Sequence, residues 1–242
     1  MVTMQSDEFL NLLVYSDSLA FRRPGDSADF GVTYPFLLQQ SLSREFAVRA
    51  NLMLRGGGGR RSAEIRRTFE HDASYFSGSG ERSNVVIFQF GIVDCAPRPI
   101  TYRVLPLLRR FPIVGNHVVS LLSDNRAAIQ RTWSYTFTSP RSFEMEYTRI
   151  FQASRSANRL TLCVGMPLPP ETIEGRSPGF RAKVLEYNAL IRRVSGDFYC
   201  DIEEALDEAT RQKILLDDGH HLSASGHHFF ASKIMECLRR VL

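Results

Sequence analysis

No stretch of the 242-residue sequence approaches the roughly 20 consecutive apolar residues that a membrane-spanning helix requires. The first eight residues lack the basic start and the uninterrupted apolar core of a secretory signal peptide. From these two absences we expect no membrane partner and no cleaved leader.

Cysteine is scarce, and the four cysteines form no CxxC pair. They are widely spaced, and three of them lie in apolar runs, where buried free thiols are common. The positions are Cys95, Cys163, Cys200 and Cys237. This pattern indicates a reducing compartment, so we predict a cytoplasmic protein.

Lysine is also rare, and the basic side chains are almost all arginine, although the formal net charge is only +4. Arginine pairs recur along the chain and are interleaved with acidic residues, so they form no single basic tract. We interpret most of them as solvated surface and predict no nucleic-acid partner. The arginines that follow predicted strand ends indicate an anionic group on a ligand; these are Arg22, Arg55, Arg60 and Arg98.

Five short apolar runs, separated by helical or irregular segments, are typical of a parallel sheet with crossover helices. The runs are Phe9 to Tyr15, Val48 to Leu54, Asn84 to Phe90, Leu160 to Met166 and a weaker one at Asp197 to Ile202. They predict a three-layer α/β/α sandwich with a mostly five-stranded parallel sheet. At this length we expect residues 1–242 to form a single domain.

Helices are predicted at 33–45, 62–69, 178–195 and 224–241, from their caps and apolar spacing. The long segment 95–158 has helical stretches at 101–110 and 117–132, followed by a part rich in aromatic residues. Two interpretations stay open for this segment: an insertion over the ligand-binding edge of the sheet, or a plain long crossover with core aromatics.

Ser18 stands where the first apolar run stops, in a position from which its backbone NH can face a developing oxyanion. A serine hydroxyl is a poor nucleophile at neutral pH and needs a general base within hydrogen-bond reach. A serine after a strand is also a common helix cap, so Ser18 needs a second line of support.

That support comes from Asp218 and His221, which flank Gly219 just before the last predicted helix. An aspartate three residues ahead of a histidine can accept from Nδ1 and leave Nε2 to take a proton. A helix-capping turn is one alternative. The other is a metal site built from His220, His221, His227 and His228, but adjacent histidines diverge and no HExxH spacing occurs, so we predict no metal.

Together these segments resemble the SGNH (GDSL) hydrolase superfamily, which has Gly-Asp-Ser-Leu after strand one and Asp-x-x-His before the final helix. The matching residues are Asp17, Ser18 and Leu19, then Asp218 and His221. The resemblance implies a flavodoxin-like fold, Ser18 as nucleophile, His221 as general acid and base, and Asp218 as the group that fixes its tautomer.

The family's second block is a glycine whose NH joins that of Ser18 in the oxyanion hole; within Gly56 to Gly59 we choose Gly59, then Gly58. A glycine run is also compatible with a flexible turn or with phosphate binding, but no Gly-Lys-Ser follows it. The third block departs from the family: Gly91-Ile92-Val93-Asp94 has valine where the family has an asparagine donor, and Ser16 replaces the first-block glycine. Substrate contacts are expected at Asp17, Gly91, Val93, Asp94 and Arg98.

The leading hypothesis is a serine esterase or deacetylase that hydrolyses an O-acyl ester through an acyl-enzyme, without a cofactor. The expected partner is a small-molecule or glycan ester, with carbohydrate O-acyl groups favoured; the sequence does not predict an oligomeric state. Two alternatives stay open: a catalytically weak binding or accessory module, supported by Val93, and an acyltransferase, if the 95–158 segment excludes water.

Overall fold

The computed structural model describes residues 9–23, 30–76, 84–101, 112–157 and 159–241, together with Val104, Leu108 and Arg110. Its strands are β1 (Phe9–Ser16), β2 (Arg49–Gly56), β3 (Asn84–Gln89), β4 (Leu160–Val164) and β5 (Tyr199–Cys200). They form one parallel sheet in the order β2-β1-β3-β4-β5. The predicted α/β fold with a five-stranded parallel sheet is confirmed.

Helices connect the strands, because parallel neighbours can be joined only by crossovers. Within the described residues they are α1 (Tyr34–Glu45), α2 (Ser62–Phe76), α3 (Ile92–Cys95), α4 (Pro112–Asp124), α5 (Arg126–Thr132), α6 (Pro140–Ser156), α7 (Phe180–Ser195), α8 (Glu208–Ile214) and α9 (Ala224–Val241). Short 3-10 turns lie at Ser18–Ala20, Phe30–Val32, Glu171–Ile173, Gly196–Phe198 and Glu203–Ala205.

The two faces of the sheet are covered by different helices, as consecutive residues of β3 show. The Phe88 ring packs on the rings of Phe69 in α2 and Tyr147 in α6, with centroids 5.3 and 6.5 Å away. Gln89 points to the other face, where its amide oxygen accepts a hydrogen bond from Tyr34 Oη in α1. Helix α1 packs on α9, and α6 packs on α2 and α7, so the molecule has three layers.

The strand ends lie at a common edge of the sheet. Ser16 at the end of β1 is in register with Gly56 of β2 on one side and with Gln89 of β3 on the other. The residues that follow these three strands therefore emerge together, at the edge where parallel α/β sheets bind ligands.

Three predicted elements differ from the observed ones by more than two residues in length. Strand β5 has two residues instead of six, because Gly196–Phe198 forms a 3-10 turn after α7. Helix α2 continues to Phe76, beyond the predicted end at residue 69. The helix predicted at 117–132 is two helices that meet at Asn125. The helix predicted at 101–110 lies largely outside the described residues.

The 95–158 segment contains both kinds of structure that its sequence left open. Helix α6 is a regular crossover helix whose Phe143 and Tyr147 are fully buried in the core. Before it, Trp133 and Tyr135 are 65% and 42% exposed, and Arg98 forms an antiparallel bridge with Tyr135. The described part of the segment outside α6 includes α4 and α5, and residues from both helices line a cavity together with Ser18.

Buried free thiols, which the sequence indicated for cysteines in apolar runs, are found at only two of the four positions. Cys200 in β5 and Cys237 in α9 form a disulfide, with their Cα atoms 5.8 Å apart, while Cys95 and Cys163 are free and buried. The pair lies 37 residues apart in sequence, with no short motif that would reveal it. Cytoplasmic location stays a prediction, and it loses the support that the cysteines gave it.

Among the described residues, no helix is long and apolar enough to cross a membrane.

Candidate active site

Asp17 shapes the turn that presents Ser18. Its side chain is fully buried, and Oδ1 accepts from the backbone NH of Leu19 at 3.1 Å. Oδ2 accepts from the NH groups of Gly91 and Ile92, at 2.9 and 3.1 Å. Burial raises the pKa of Asp17 to about 6, although these three hydrogen bonds act in the opposite direction. Asp17 therefore fastens the end of β1 to the loop after β3, and substrate contact at Asp17 does not fit this placement.

Ser16, which stands where the family has glycine, also serves the frame of the site. It is fully buried, and its hydroxyl donates to the amide oxygen of Gln89 at 2.7 Å. The hydroxyl of Tyr34 donates to the same oxygen at 3.3 Å. The extra hydroxyl therefore points into a polar network beneath the turn and not into the cavity.

A tight turn between α8 and α9 carries the histidine and aspartate. The NH of Leu216 donates to the carbonyl of His221 at 2.8 Å, and Gly219 adopts φ +77° at the tip. A Cβ on Gly219 would lie 2.3 Å from Cγ1 of Ile173, so both backbone conformation and space require glycine. This turn brings Asp218 and His221 to the edge of the sheet where Ser18 emerges.

Asp218 orients His221. Its Oδ2 lies 2.7 Å from His221 Nδ1, and its Oδ1 accepts from the NH groups of His221 and His220, both at 3.1 Å. Burial alone would raise the pKa of Asp218, but the hydrogen bond from His221, the charge of His220 and the two NH groups hold it well below its usual range. An ionised carboxylate only accepts, so His221 Nδ1 carries the hydrogen and Nε2 is the proton acceptor.

Arg23 is a further partner of this aspartate that the sequence did not reveal. Its Nη1 lies 2.6 Å from Asp218 Oδ2, while about half of its side chain is exposed. It follows the Ser18 turn by five residues, with no motif to mark it. The contact links the segment after the serine to the turn that carries His221.

One cavity of about 580 Å³ brings most of the predicted residues together. Seven of them line it: Ser18, Gly58, Gly59, Val93, Arg98, Asp218 and His221. The other lining residues are Ile92, Ala96, Asp124, Arg126, Ala127, Ile173, Gly175, Arg176, Ser177, Phe180 and His220. Asp17, Gly91 and Asp94 are not among them; they are buried behind the wall.

The glycine run forms the cavity wall beside Ser18. A Cβ on Gly56 would lie 1.6 Å from the carbonyl oxygen of Ser16, so only glycine allows β2 to end against β1. The NH of Gly57 donates to that same carbonyl at 3.3 Å. Gly58 and Gly59 follow and face the cavity, and no acceptor among the described residues takes their NH groups.

Asp94 holds the opposite end of this loop. It is buried, and it accepts from both the NH and the hydroxyl of Ser62, at 2.9 Å each, and from the hydroxyl of Thr138. Burial raises the pKa of Asp94 to about 6, against these hydrogen bonds. The expected substrate contact at Asp94 does not fit this geometry, because the carboxylate instead joins the start of α2 to the segment before α6.

Val93 lines the cavity and is 6% exposed. Its isopropyl group has no hydrogen to donate, so the side chain of this position cannot stabilise an oxyanion. Gly58 and Gly59 line the same cavity and bring backbone NH groups to it.

Three of the four arginines expected near the crevice do not line it. Arg55 pairs with Asp72 at 3.0 Å, and Arg60 donates to the hydroxyl of Thr68 at 3.2 Å. Arg22 does not line the cavity either. Arg98 does line the cavity, together with Arg126 and Arg176, which the sequence did not indicate.

Asp218, His220 and His221 offer three possible metal-ligand atoms within 4.8 Å of one another. Asp218 Oδ2 already accepts from His221 Nδ1 and from Arg23. A cation held by all three side chains would compete with the hydrogen bond that orients His221. The set therefore fits an acid–base role better than a metal centre.

A serine after the first strand and an aspartate–histidine pair before the last helix, meeting in one cavity, are the arrangement of an α/β serine hydrolase. A profile of the GDSL-like lipase/acylhydrolase family matches residues 17–229. The chain belongs to this family, which confirms the resemblance to the SGNH (GDSL) superfamily and makes it an SGNH-type hydrolase. No curated protein matches the chain in sequence.

Solved structures share the fold over nearly the whole chain. TesA has 15% sequence identity and a TM-score of 0.62, covering 96% of this chain and 99% of that one. The lipase/acylhydrolase from Enterococcus faecalis has 11% identity and a TM-score of 0.62, covering 93% of each chain. A catalytic mutant of Axe2, an acetylxylan esterase from Geobacillus stearothermophilus, has 15% identity and a TM-score of 0.60, covering 95% and 93%.

Proposed function

We propose that the chain is a serine esterase that hydrolyses an O-acyl ester through a covalent acyl-enzyme. The observation that carries the proposal is the 2.7 Å contact between Asp218 Oδ2 and His221 Nδ1, in the cavity that Ser18 also lines. The family membership supports an acylhydrolase in general, and the assignment of the three residues to catalytic roles is our inference.

The reaction follows from these roles. Ser18 Oγ attacks the ester carbonyl while its proton passes to His221 Nε2, and Asp218 stabilises the imidazolium that forms. The intermediate collapses, His221 protonates the departing alkoxide, and the alcohol leaves. Water then gives a proton to His221 and attacks the acyl-enzyme, and collapse of the second intermediate releases the carboxylic acid and restores Ser18.

Backbone NH groups are assigned to the oxyanion hole. Ser18 and Gly59 are the first choices, with Gly58 as a neighbour on the same wall. Each well-placed donor is worth on the order of 100-fold to 1000-fold in turnover. Because Val93 contributes none, we expect a working enzyme with a modest rate.

For the substrate, we propose deacylation of a small O-acyl group on a carbohydrate or a similar molecule. Acetylxylan esterases among the proteins of similar fold support this substrate class. The cavity, at about 580 Å³, has the size of a small-molecule site.

A second candidate is a binding module that keeps the fold but turns substrate over poorly or not at all. The observation that favours it is Val93, which removes a side-chain oxyanion donor. This candidate predicts ligand binding in the same cavity without ester hydrolysis.

The test is the rate of 4-nitrophenyl acetate hydrolysis by folded protein. Ser18→Ala and His221→Ala should each lower kcat/KM by about 1000-fold or more, because the serine and its base act as a unit. Ser156→Ala and His228→Ala are matched controls, since both side chains are exposed and neither lines the cavity. Equal rates in all five proteins would reject the esterase, and a folded wild type without any hydrolysis would favour the binding module.

A further inference from the structure

Three arginines line the same cavity as Ser18 and His221. Arg98 follows α3, Arg126 is the first residue of α5, and Arg176 lies in the loop that leads to α7. The three segments are far apart in sequence and meet only in the folded chain. The cluster is therefore a product of tertiary structure and not of a basic tract.

The guanidinium group of Arg126 is near enough to interact electrostatically with those of Arg98 and Arg176. Burial first, and then the positive charge of Arg126, lower the pKa of Arg98. Burial first, and then the charge of Arg176, lower the pKa of Arg126. Like charges gathered at a partly buried wall repel one another, and this repulsion is relieved when an anion binds between them.

The polar contacts of these arginines are to neutral groups. Arg126 Nη2 donates to the carbonyl of Pro97 at 3.2 Å and to the hydroxyl of Ser177 at 3.1 Å. Arg176 Nη2 donates to the carbonyl of Asp217 at 2.6 Å. The Arg98 guanidinium lies over the ring of Phe137, 4.8 Å from its centroid. These contacts orient the side chains but do not neutralise their positive charge.

No carboxylate of the described residues forms an ion pair with any of the three. The Nε atoms of Arg98 and Arg126 are buried and have no hydrogen-bond partner among the residues that the structure describes. Two aspartates also line the cavity. Asp218 is engaged by His221 and Arg23, and Asp124 is exposed and pairs with none of the three arginines. The wall thus carries an excess of positive charge.

We propose that Arg98, Arg126 and Arg176 form a subsite for a phosphoryl group on the molecule that bears the acyl ester. A guanidinium fork matches the oxygens of a phosphate in pairs, and a phosphate monoester carries nearly two negative charges at neutral pH. One guanidinium group is enough to pair with a carboxylate, so three arginines that line one cavity favour the more highly charged phosphoryl group. That the phosphorylated molecule is a substrate rests on the proposed esterase function; the anion binding itself does not.

The test is calorimetric titration of inorganic phosphate into Ser18→Ala protein, which keeps the subsite and removes the candidate nucleophile. We expect saturable binding with a Kd of about 1 mM or tighter, weakened by added salt as charge-based binding is. Acetate at the same ionic strength should bind at least about tenfold more weakly, because a carboxylate pairs with only one guanidinium group.

Variants then locate the bound phosphate. In the Ser18→Ala background, Arg126→Gln and Arg176→Gln should each raise Kd by about tenfold or more, the size of one charged hydrogen bond. Arg131→Gln is the matched control, because it removes the same charge from an exposed position of α5 outside the cavity, and Kd should stay within about twofold. Arg176 is exposed, so its substitution leaves the core untouched, and circular dichroism verifies each fold.

The outcomes separate the two proposals. Phosphate binding that depends on Arg126 and Arg176 supports the subsite even if Ser18 proves not to be a nucleophile. The subsite is overturned by a lack of phosphate binding, by binding that both variants retain, or by acetate binding as tightly as phosphate. In wild-type protein, acetate release from 4-acetoxyphenyl phosphate should exceed that from phenyl acetate in kcat/KM, and Arg176→Gln should remove this preference.

Discussion

Val93 lines the cavity at the position where the SGNH superfamily has an asparagine that donates to the oxyanion. The surrounding frame is complete: Asp17 holds the NH groups of Gly91 and Ile92, and Asp94 holds the start of α2. The site thus keeps its supports while one donor is absent. A single substitution at this position can supply a side-chain donor.

We predict that Val93→Asn raises kcat for 4-nitrophenyl acetate by at least about tenfold, because one oxyanion donor is worth on the order of 100-fold to 1000-fold. KM should change little, since the added bond forms mainly in the transition state. Val93→Leu, which changes size without adding a donor, is the control. Equal kcat for Val93→Asn and wild type would show that this position does not face the developing charge.

The surroundings of Asp218 stabilise its ionised form. Its two oxygens accept from His221, Arg23 and two backbone NH groups. With its pKa held well below the usual range, Asp218 is ionised at neutral pH. The carboxylate therefore remains a hydrogen-bond acceptor for His221 Nδ1.

At the scale of secondary structure, the strand ends made the site predictable from the sequence. The serine, the glycine run and the Gly91 to Asp94 segment each follow an apolar run, and parallel strands end at one edge. The register of Ser16 with Gly56 and Gln89 meets that expectation. Elements without such a signal were predicted less well: β5 is an edge strand of two residues, and the break at Asn125 has no glycine or proline to mark it.

The disulfide between β5 and α9 should contribute measurably to stability. Closing a loop of this length lowers the entropy of the unfolded chain, which is worth about 2 to 4 kcal/mol. We predict that reduction lowers the unfolding free energy by that amount in urea titrations. Before reduction, denatured protein should expose two reactive thiols, those of Cys95 and Cys163. Four thiols at that stage would contradict the pairing.

At the scale of the whole molecule, two carboxylates are buried beneath the cavity. Burial raises the pKa of Asp17 and of Asp94 to about 6, above the value of about 3.9 for an unfolded aspartate. Between these pH values the folded protein binds more protons than the unfolded one. Their contribution to the unfolding free energy therefore falls as pH rises from about 4 to about 6.

Asp94→Asn removes one of these groups and should flatten the profile. The difference in unfolding free energy, variant minus wild type, should rise by about 2 to 3 kcal/mol between about pH 4 and about pH 7. A difference between the two proteins that is the same at every pH does not affect this result. Ser156→Ala, which changes an exposed position without a titratable group, should run parallel to wild type. Urea titrations across this range give the profiles, and parallel curves for Asp94→Asn would contradict the raised pKa.

Contacts between residues that are far apart in sequence could not be predicted. Arg126 and Arg176 lie on separate segments, Arg23 reaches Asp218 across 195 positions, and Cys200 meets Cys237 through packing of α9 on β5. None of these pairings has a period or a short motif. Ser18, Asp218 and His221 could be predicted because the family's sequence blocks have fixed residue types and occur in a fixed order. Charge clusters and disulfides have no such blocks, because they arise from the tertiary structure.

Intact mass spectrometry after incubation with a fluorophosphonate shows whether Ser18 is an activated nucleophile. We predict one adduct per chain, located by peptide mapping at Ser18 and lost in Ser18→Ala and His221→Ala, while Ser156→Ala and His228→Ala label like wild type. Folded wild-type protein that stays unlabelled, or an adduct on another serine, would show that Ser18 is not the activated nucleophile.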